Sequence, residues 1–283
     1  MRYETPDLNL RAFGTSVSTQ MLVPIRFTAP RNRAVLLVHG YNVNEAEAVR
    51  AMGLFKKTLA YYARRLSEDT FLCTWAGNWN VPVIRPLAYV SVLKNAHESA
   101  VTLLEAIQQW YTLFSPPEEL VIVAHSLGCR LVLETLLSFH SAGRPANLKR
   151  LIVILMAAAV PIEHFAPGGR LHPTLQVADV IVVLHSDADT VLSRFFGIGQ
   201  TLAGDGRFPE AVGLRGYPRG TSWTRAQQMR AFDHSDYWKE METAELVCRV
   251  LGFSIRASDS GIPLATQKVL SARRLPIMPL LPN

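Results

Sequence analysis

The sequence predicts an α/β domain with a mostly parallel central sheet covered by helices on both faces. Three observations carry this. Short aliphatic or β-branched runs recur at Ala34–Val38, Phe71–Trp75, Leu120–Val123, Leu151–Leu155 and Val180–Leu184. Stretches with apolar residues at helical spacing separate them. The runs are apolar throughout instead of alternating, the pattern of strands buried on both faces.

Taken in order, residues 21–28 (MLVPIRFT) read as an early strand interrupted by Pro24, with a polar turn at Pro30-Arg31-Asn32. The strand Ala34–Val38 follows and ends in His39-Gly40-Tyr41-Asn42. A helix is expected from about Asn44 to Leu66, with Asn44 as N-cap and Glu45 and Glu47 in its first turn. After Phe71–Trp75 the chain is irregular to Pro86, broken by Gly77 and Pro82. A long helix from about Leu87 to Leu113 stops before Pro116-Pro117. Then come the strand Leu120–Val123, a helix over Cys129–Leu137, and the strand Leu151–Leu155. A loop rich in Pro and Gly leads to the strand Val180–Leu184, and a final helix covers Lys239–Leu251.

Composition bounds the rest. A chain of 283 residues, 49% hydrophobic and 18% charged, can bury a sizeable core. The expected organisation is an N-terminal extension (1–19), one α/β domain (20–253) and a flexible Pro-containing tail (254–283). Met1–Leu10 has no apolar stretch, so no secretory signal is expected. The longest apolar run, Leu151–Ile162, is too short to span a bilayer. Cys73, Cys129 and Cys248 are scattered among apolar residues, which favours reduced core thiols over a zinc site or a disulfide framework. The chain therefore reads as cytoplasmic. Its net charge is +6, but the tail from Ile255 on holds four basic residues against one acidic, a net +3. No basic stripe interleaved with aromatics appears, so nucleic acid is not an expected partner. The tail's composition favours plain flexibility over contact with a membrane.

Ala124-His125-Ser126-Leu127-Gly128 is the most informative motif. It lies between an apolar strand and a helix, the context in which a strained turn presents a nucleophilic Ser. Such a turn needs small residues two positions to either side, and Ala124 and Gly128 supply them. A Ser hydroxyl needs a base to take its proton, and the base needs a third group to orient it. Chain order in this architecture is Ser, acid, His. The acid should follow a later strand, where Asp187 and Asp189 both qualify. Asp189 is preferred because a small apolar turn opening a helix follows it. Asp187 suits a helix N-cap and is the second choice; Glu163 is a distant third. His234 is the sole histidine after Asp189 and is the candidate base. The backbone N–H groups of Leu127 and Tyr41 are the candidate oxyanion donors. His125 should point away from the Ser hydroxyl, and His185 should pack at a strand end. His97, His140, His164 and His172 show no metal-ligand spacing, and no metal or cofactor is expected.

Together these residues resemble the α/β-hydrolase superfamily over about residues 20–253. Within it they are similar to a little-characterised bacterial group of predicted serine hydrolases. That group carries an HGYN strand end, a Trp after the next strand, AHS-x-G-x-R at the elbow, S-x-x-D-x-x-L after a later strand and a final H-S-x-Y. Here these are His39 to Asn42, Trp75, Ala124 to Arg130, Ser186 to Leu192, and His234 to Tyr237. Ala76-Gly77 stands where the group has Pro-Ser. The resemblance also favours Asp189 as the acid, but the superfamily hosts esterases, lipases, thioesterases, peptidases, acyltransferases and lyases, so it does not settle the substrate. The leading expectation is hydrolysis of a small-molecule ester or thioester through a Ser126 acyl-enzyme. Acyl transfer by the same residues and a non-enzymatic scaffold acting as an interaction protein are the alternatives. The short intervals between the later strands leave no room for a large cap domain. Trp75, Trp79 and the segment His164–Leu175 are candidate pocket rims, with the core an equal reading for the aromatics among them.

Overall fold

A computed structural model describes residues 5–11, 32–78, 85–216 and 225–253. The expected strand at 21–28, Trp79, Pro82 and the tail from 254 lie outside the described residues.

Among the described residues seven strands form one parallel sheet: β1 (Leu8–Asn9), β2 (Arg33–Val38), β3 (Thr70–Thr74), β4 (Glu119–His125), β5 (Arg150–Met156), β6 (Val180–His185) and β7 (Arg225–Gln228). Their order is β1-β3-β2-β4-β5-β6-β7, and every pairing is parallel. All residues of Ala34–Val38, Leu120–His125 and Leu151–Met156 are buried, as uninterrupted apolar runs require.

The helices are α1 (Glu45–Tyr62), α2 (Arg64–Asp69), α3 (Arg85–Leu113), α4 (Leu127–Ala142), α5 (Gly197–Leu202), α6 (Val212–Arg215) and α7 (Met241–Val250). Strand order assigns their faces. The crossover from β2 to β3 runs one way along the sheet; those from β3 to β4 and from β4 to β5 run the other way. Right-handed crossovers in opposite directions put their helices on opposite faces. Thus α1 packs with α2 and α7, while α3 packs with α4 and α5. The chain reverses direction at β2, so the crevice beyond the ends of β2 and β4 is the topological switch point where such sheets place their ligands.

Three local details differ from expectation. The helix from Asn44 does not run unbroken to Leu66: Ala63 adopts an extended backbone (φ −150°, ψ 90°), and the restart as α2 buries Leu66. Asn44 does cap α1, its side chain accepting from the Glu47 N–H while the Glu47 carboxylate accepts from the Asn44 N–H. Two strands, β1 and β7, carried no apolar run. β1 is two residues long, and its register is fixed by Asp7, whose carboxylate accepts from the Leu72 N–H at 2.9 Å. β7 (RAQQ) is a half-buried edge strand.

Cys73, Cys129 and Cys248 are buried free thiols, and burial pushes each upward from its ordinary pKa. Among the described residues, no helix is long and apolar enough to cross a membrane.

Candidate active site

β4 ends at His125 and α4 begins at Leu127, so a single residue makes the turn. That residue, Ser126, has φ 52° and ψ −124°, outside the regions L-residues ordinarily occupy. Its backbone is held on both sides: its N–H donates to the Met156 carbonyl, and its own carbonyl accepts from the Cys129 and Ala159 N–H groups. The strained turn aims the side chain outward, beyond the end of the sheet.

Close approach of β2 explains two glycines around it. Val38 pairs with Ala124, so the His39-Gly40 turn lies directly beside the elbow. A Cβ on Gly128 would run into the His39 carbonyl oxygen, and one on Gly40 would sit 2.7 Å from the Ser126 Cβ. Only a Gly at each position lets the two turns touch.

The candidate base and acid, His234 and Asp189, lie on the loops that follow β7 and β6. His234 Nε2 lies 2.8 Å from Ser126 Oγ, and His234 Nδ1 lies 2.8 Å from Asp189 Oδ2. Asp189 is fully buried and His234 is partly exposed. Sequence reasoning assigned an N-cap role to Asp187, and the structure moves it. Asp189 Oδ1 accepts from the Leu192 N–H at 2.9 Å, while Asp187 is exposed. One carboxylate therefore both caps the helical turn that follows it and meets the imidazole. Glu163 sits in a separate 3-10 turn, Ile162–Phe165.

The acid and base loops are stitched together. Ser186 Oγ donates to the Phe232 carbonyl, and the Thr190 N–H and hydroxyl both donate to Asp233 Oδ1. These bonds to Thr190 hold the Asp233 carboxyl below the usual carboxylate range. Ser186, read as part of a motif, acts here as a tie between loops.

Two further histidines complete the frame, and sequence reasoning gave neither a role in it. His39 stacks on Trp75, and its Nε2 accepts from the Trp75 N–H at 3.2 Å. The proton therefore sits on Nδ1, which donates to the Gly40 carbonyl at 2.9 Å. Because a peptide is planar and trans, fixing the Gly40 carbonyl also fixes the Tyr41 N–H on the opposite edge of the same unit. His125 points away from the Ser hydroxyl, as expected, and its Nε2–H donates to the His234 carbonyl at 2.7 Å. A histidine at a strand's carboxyl end, adjacent to the elbow Ser, was the signal for it.

Trp75 is not a pocket rim: it is fully buried, and its indole N–H donates to the His39 carbonyl at 2.7 Å. Gly77 is needed where the resembling group has Ser, since a Cβ there would come within 2.8 Å of the Gly40 carbonyl oxygen. In the segment 164–175, Phe165, Leu171 and Thr174 are buried, and its second turn packs on α4.

Arg130, one turn after Ser126, is also buried. It donates to Glu134 at 2.6 Å and to Asp205 at 2.8 Å, and His164 lies 2.9 Å from the other Asp205 oxygen. Burial alone would raise the Asp205 carboxyl, but His164 and Arg130 outweigh it and hold it below the usual range. These bonds tie the first turn of α4 to the chain that follows α5.

His39 and His125 are both kept neutral, with pKa values lowered to about 3. Burial is the main cause, reinforced by Arg11 for His39 and by His234 for His125. An unfolded histidine titrates near 6.5, so between about 3 and 6.5 the unfolded chain binds protons that the folded chain does not. The stability these groups contribute is complete above about pH 6.5 and is lost as the pH falls through that window. At one unit below the unfolded pKa each neutral histidine costs about 1.4 kcal/mol, so going from pH 7.5 to 5.5 should remove about 3 kcal/mol. Urea unfolding at the two pH values checks this; equal midpoints would refute it.

The sequence matches the model of a family described as "Alpha/beta hydrolase of unknown function (DUF900)" over residues 16–194. The chain belongs to this α/β-hydrolase family. The matched span holds the elbow and the Asp189 loop, and His234 lies beyond it. Solved structures similar to the chain include an uncharacterized protein from Bacillus cereus ATCC 10987, with 16% identity and a TM-score of 0.46 over 80% of this chain. The match covers 60% of the length of that Bacillus cereus protein. A lipase-esterase related protein from Clostridium acetobutylicum ATCC 824 matches at 11% identity and a TM-score of 0.43, over 79% of this chain and 95% of its own. An esterase from Pyrobaculum calidifontis matches at 12% identity and a TM-score of 0.39, over 79% and 74%. No curated protein matches the sequence.

Proposed function

We propose that this α/β hydrolase cleaves a carboxylic ester or thioester of a small molecule through an acyl-enzyme on Ser126. The observation that carries the reading is the unbroken chain from Ser126 Oγ to His234 to Asp189, two contacts of 2.8 Å each, ending in a fully buried carboxylate.

Ser126 Oγ attacks the acyl carbon as His234 Nε2 takes the hydroxyl proton. Asp189 accepts from His234 Nδ1–H, which holds Nε2 free of a proton beforehand and stabilises the imidazolium afterwards. Charge that develops on the carbonyl oxygen is met by the N–H of Leu127, at the start of α4, and the N–H of Tyr41, whose peptide is oriented by His39. Collapse of the tetrahedral intermediate breaks the bond to the alcohol or thiol, which leaves with the proton from His234. Water then enters, and its oxygen attacks the acyl carbon as His234 takes a proton from it. Collapse of this second intermediate breaks the acyl bond to Ser126 Oγ, which receives the proton from His234, and the carboxylic acid departs. The chemistry draws on side chains and backbone alone and calls for no cofactor.

Labelling with a fluorophosphonate probe tests the reading. Wild type should label, Ser126→Ala should not, and His234→Ala should label far more slowly. A folded wild-type protein that fails to label would overturn it.

A further inference from the structure

We propose that residues 191–208 form a surface that docks onto anionic lipid. Among the described residues nine large hydrophobics are exposed, and five of them lie in this one stretch: Val191, Phe195, Ile198, Leu202 and Phe208. The first four fall on one side of a continuous helical segment that starts at Thr190, passes through a π-helix from Leu192 to Phe196 and runs into α5. Leu192, Phe196, Gly199 and Gln200 face the protein.

Phe208 joins the patch from a following turn. Its N–H donates to the Thr201 hydroxyl at 2.7 Å, and its backbone packs on Gly197, which places it next to the helix. It has φ 50° and is 64% exposed. A non-glycine residue held in the left-handed region costs free energy, and here that backbone serves to display an aromatic ring to solvent. Phe195 is similarly exposed at 61%.

Charge selects the partner. Arg194 and Arg207 flank the rings and are exposed. Asp205 is the single acidic residue between 190 and 209, and it is taken up by Arg130 and His164. Glu210, just beyond, pairs with Arg215. The exposed carboxylates of Asp187 and Asp233 stand at the Val191 end, where Asp233 accepts from Thr190, while Arg194 and Arg207 stand beside the two aromatic rings. An apolar stripe whose rings are bordered by arginine has the character of a helix that lies in the headgroup region of a negatively charged bilayer. A protein partner would need carboxylates placed opposite Arg194 and Arg207, whereas an anionic lipid surface offers headgroup phosphates at any orientation.

The inference does not depend on the proposed chemistry, because docking can be read on the full chain carrying Ser126→Ala. Co-sedimentation with vesicles of phosphatidylcholine, alone or with phosphatidylglycerol, is the experiment. Partition should favour the anionic vesicles, and Phe195→Ser with Phe208→Ser should weaken it by about tenfold or more. Arg194→Ser with Arg207→Ser should remove the preference for phosphatidylglycerol. Ile198→Asp is a second variant at an exposed site and should act in the same direction. No partition of the parent chain, or partition unchanged by the phenylalanine pair and by Ile198→Asp, would overturn the proposal. So would self-association in sedimentation velocity that those variants abolish without any vesicle binding, which would make the occupant a second copy of this chain.

Discussion

Asp189→Asn should lower kcat/KM toward an ester substrate by about 10⁴-fold while moving the melting temperature by no more than about 2 °C. The two carboxylate oxygens have separate duties, Oδ1 taking the Leu192 N–H and Oδ2 facing His234 Nδ1. Asparagine keeps an oxygen for the first and turns an NH₂ toward the second. Against that donor, His234 Nδ1 must accept, so its proton moves to Nε2, where it blocks transfer from Ser126. The helical turn stays capped and the fold is kept. Asp189→Ala loses both bonds and should cost about 1 kcal/mol of stability in addition to the rate. Asp187→Asn, at an exposed carboxylate, should leave the rate within about twofold of wild type. Steady-state kinetics on the three variants decides the matter; Asp189→Asn within tenfold of wild type would remove Asp189 from the triad.

Gly128→Ala should be the most destabilising single methyl in the site. The new Cβ has no space, because the His39 carbonyl and the end of β2 lie against it, and both are backbone. Relief requires α4 to back away from β2, separating the elbow from the turn that carries Tyr41. Overpacking of this kind costs about 3 kcal/mol, equivalent to roughly 10 °C in a domain of this size. Fluorophosphonate labelling should fall with it, even for protein refolded and assayed well below its melting point. Gly143→Ala is the control: it has open space around it but a backbone at φ 85°, ψ 153° that essentially only Gly adopts, so it should cost about 1–3 kcal/mol and leave labelling intact. Thermal melts and labelling rates for both variants provide the check. A Gly128→Ala protein as stable and as reactive as wild type would contradict the close packing described.

What could be read from the sequence follows a physical division. The interiors of β2, β4, β5 and β6 are buried on both faces, so their central residues are uniformly apolar and announce themselves. The meeting of Ser126, Asp189 and His234 side chains could be anticipated for a different reason: each sits just past a buried strand or just before a helix, and their chain order follows the expected architecture. β1 and β7 were not legible, because an edge strand needs backbone pairing more than apolar side chains, and Arg225-Ala226-Gln227-Gln228 has no periodicity to detect. The break at Ala63 was hidden because alanine favours helix and its extended backbone there is set by packing. His39, His125 and Arg130 were visible as residues but not as partners. Their bonds run to the Trp75 N–H, to the His234 carbonyl and to Asp205, and no local pattern encodes such long-range choices. The double duty of Asp189 was missed because capping and orientation had been divided between two aspartates that compete in sequence and not in space.

The two margins of the described sheet share a property with a consequence for how the chain behaves at high concentration. A parallel sheet of apolar strands is an open template at each side, and a long exposed edge invites another molecule to add to it. Here one margin is the two-residue β1, where the Asp7 carboxylate occupies the Leu72 N–H, and the other is the four-residue polar β7 led by Arg225. Neither is long or greasy enough to recruit a foreign strand. The same strands that escaped detection for want of hydrophobicity are, for that reason, the molecule's protection against amyloid-like growth.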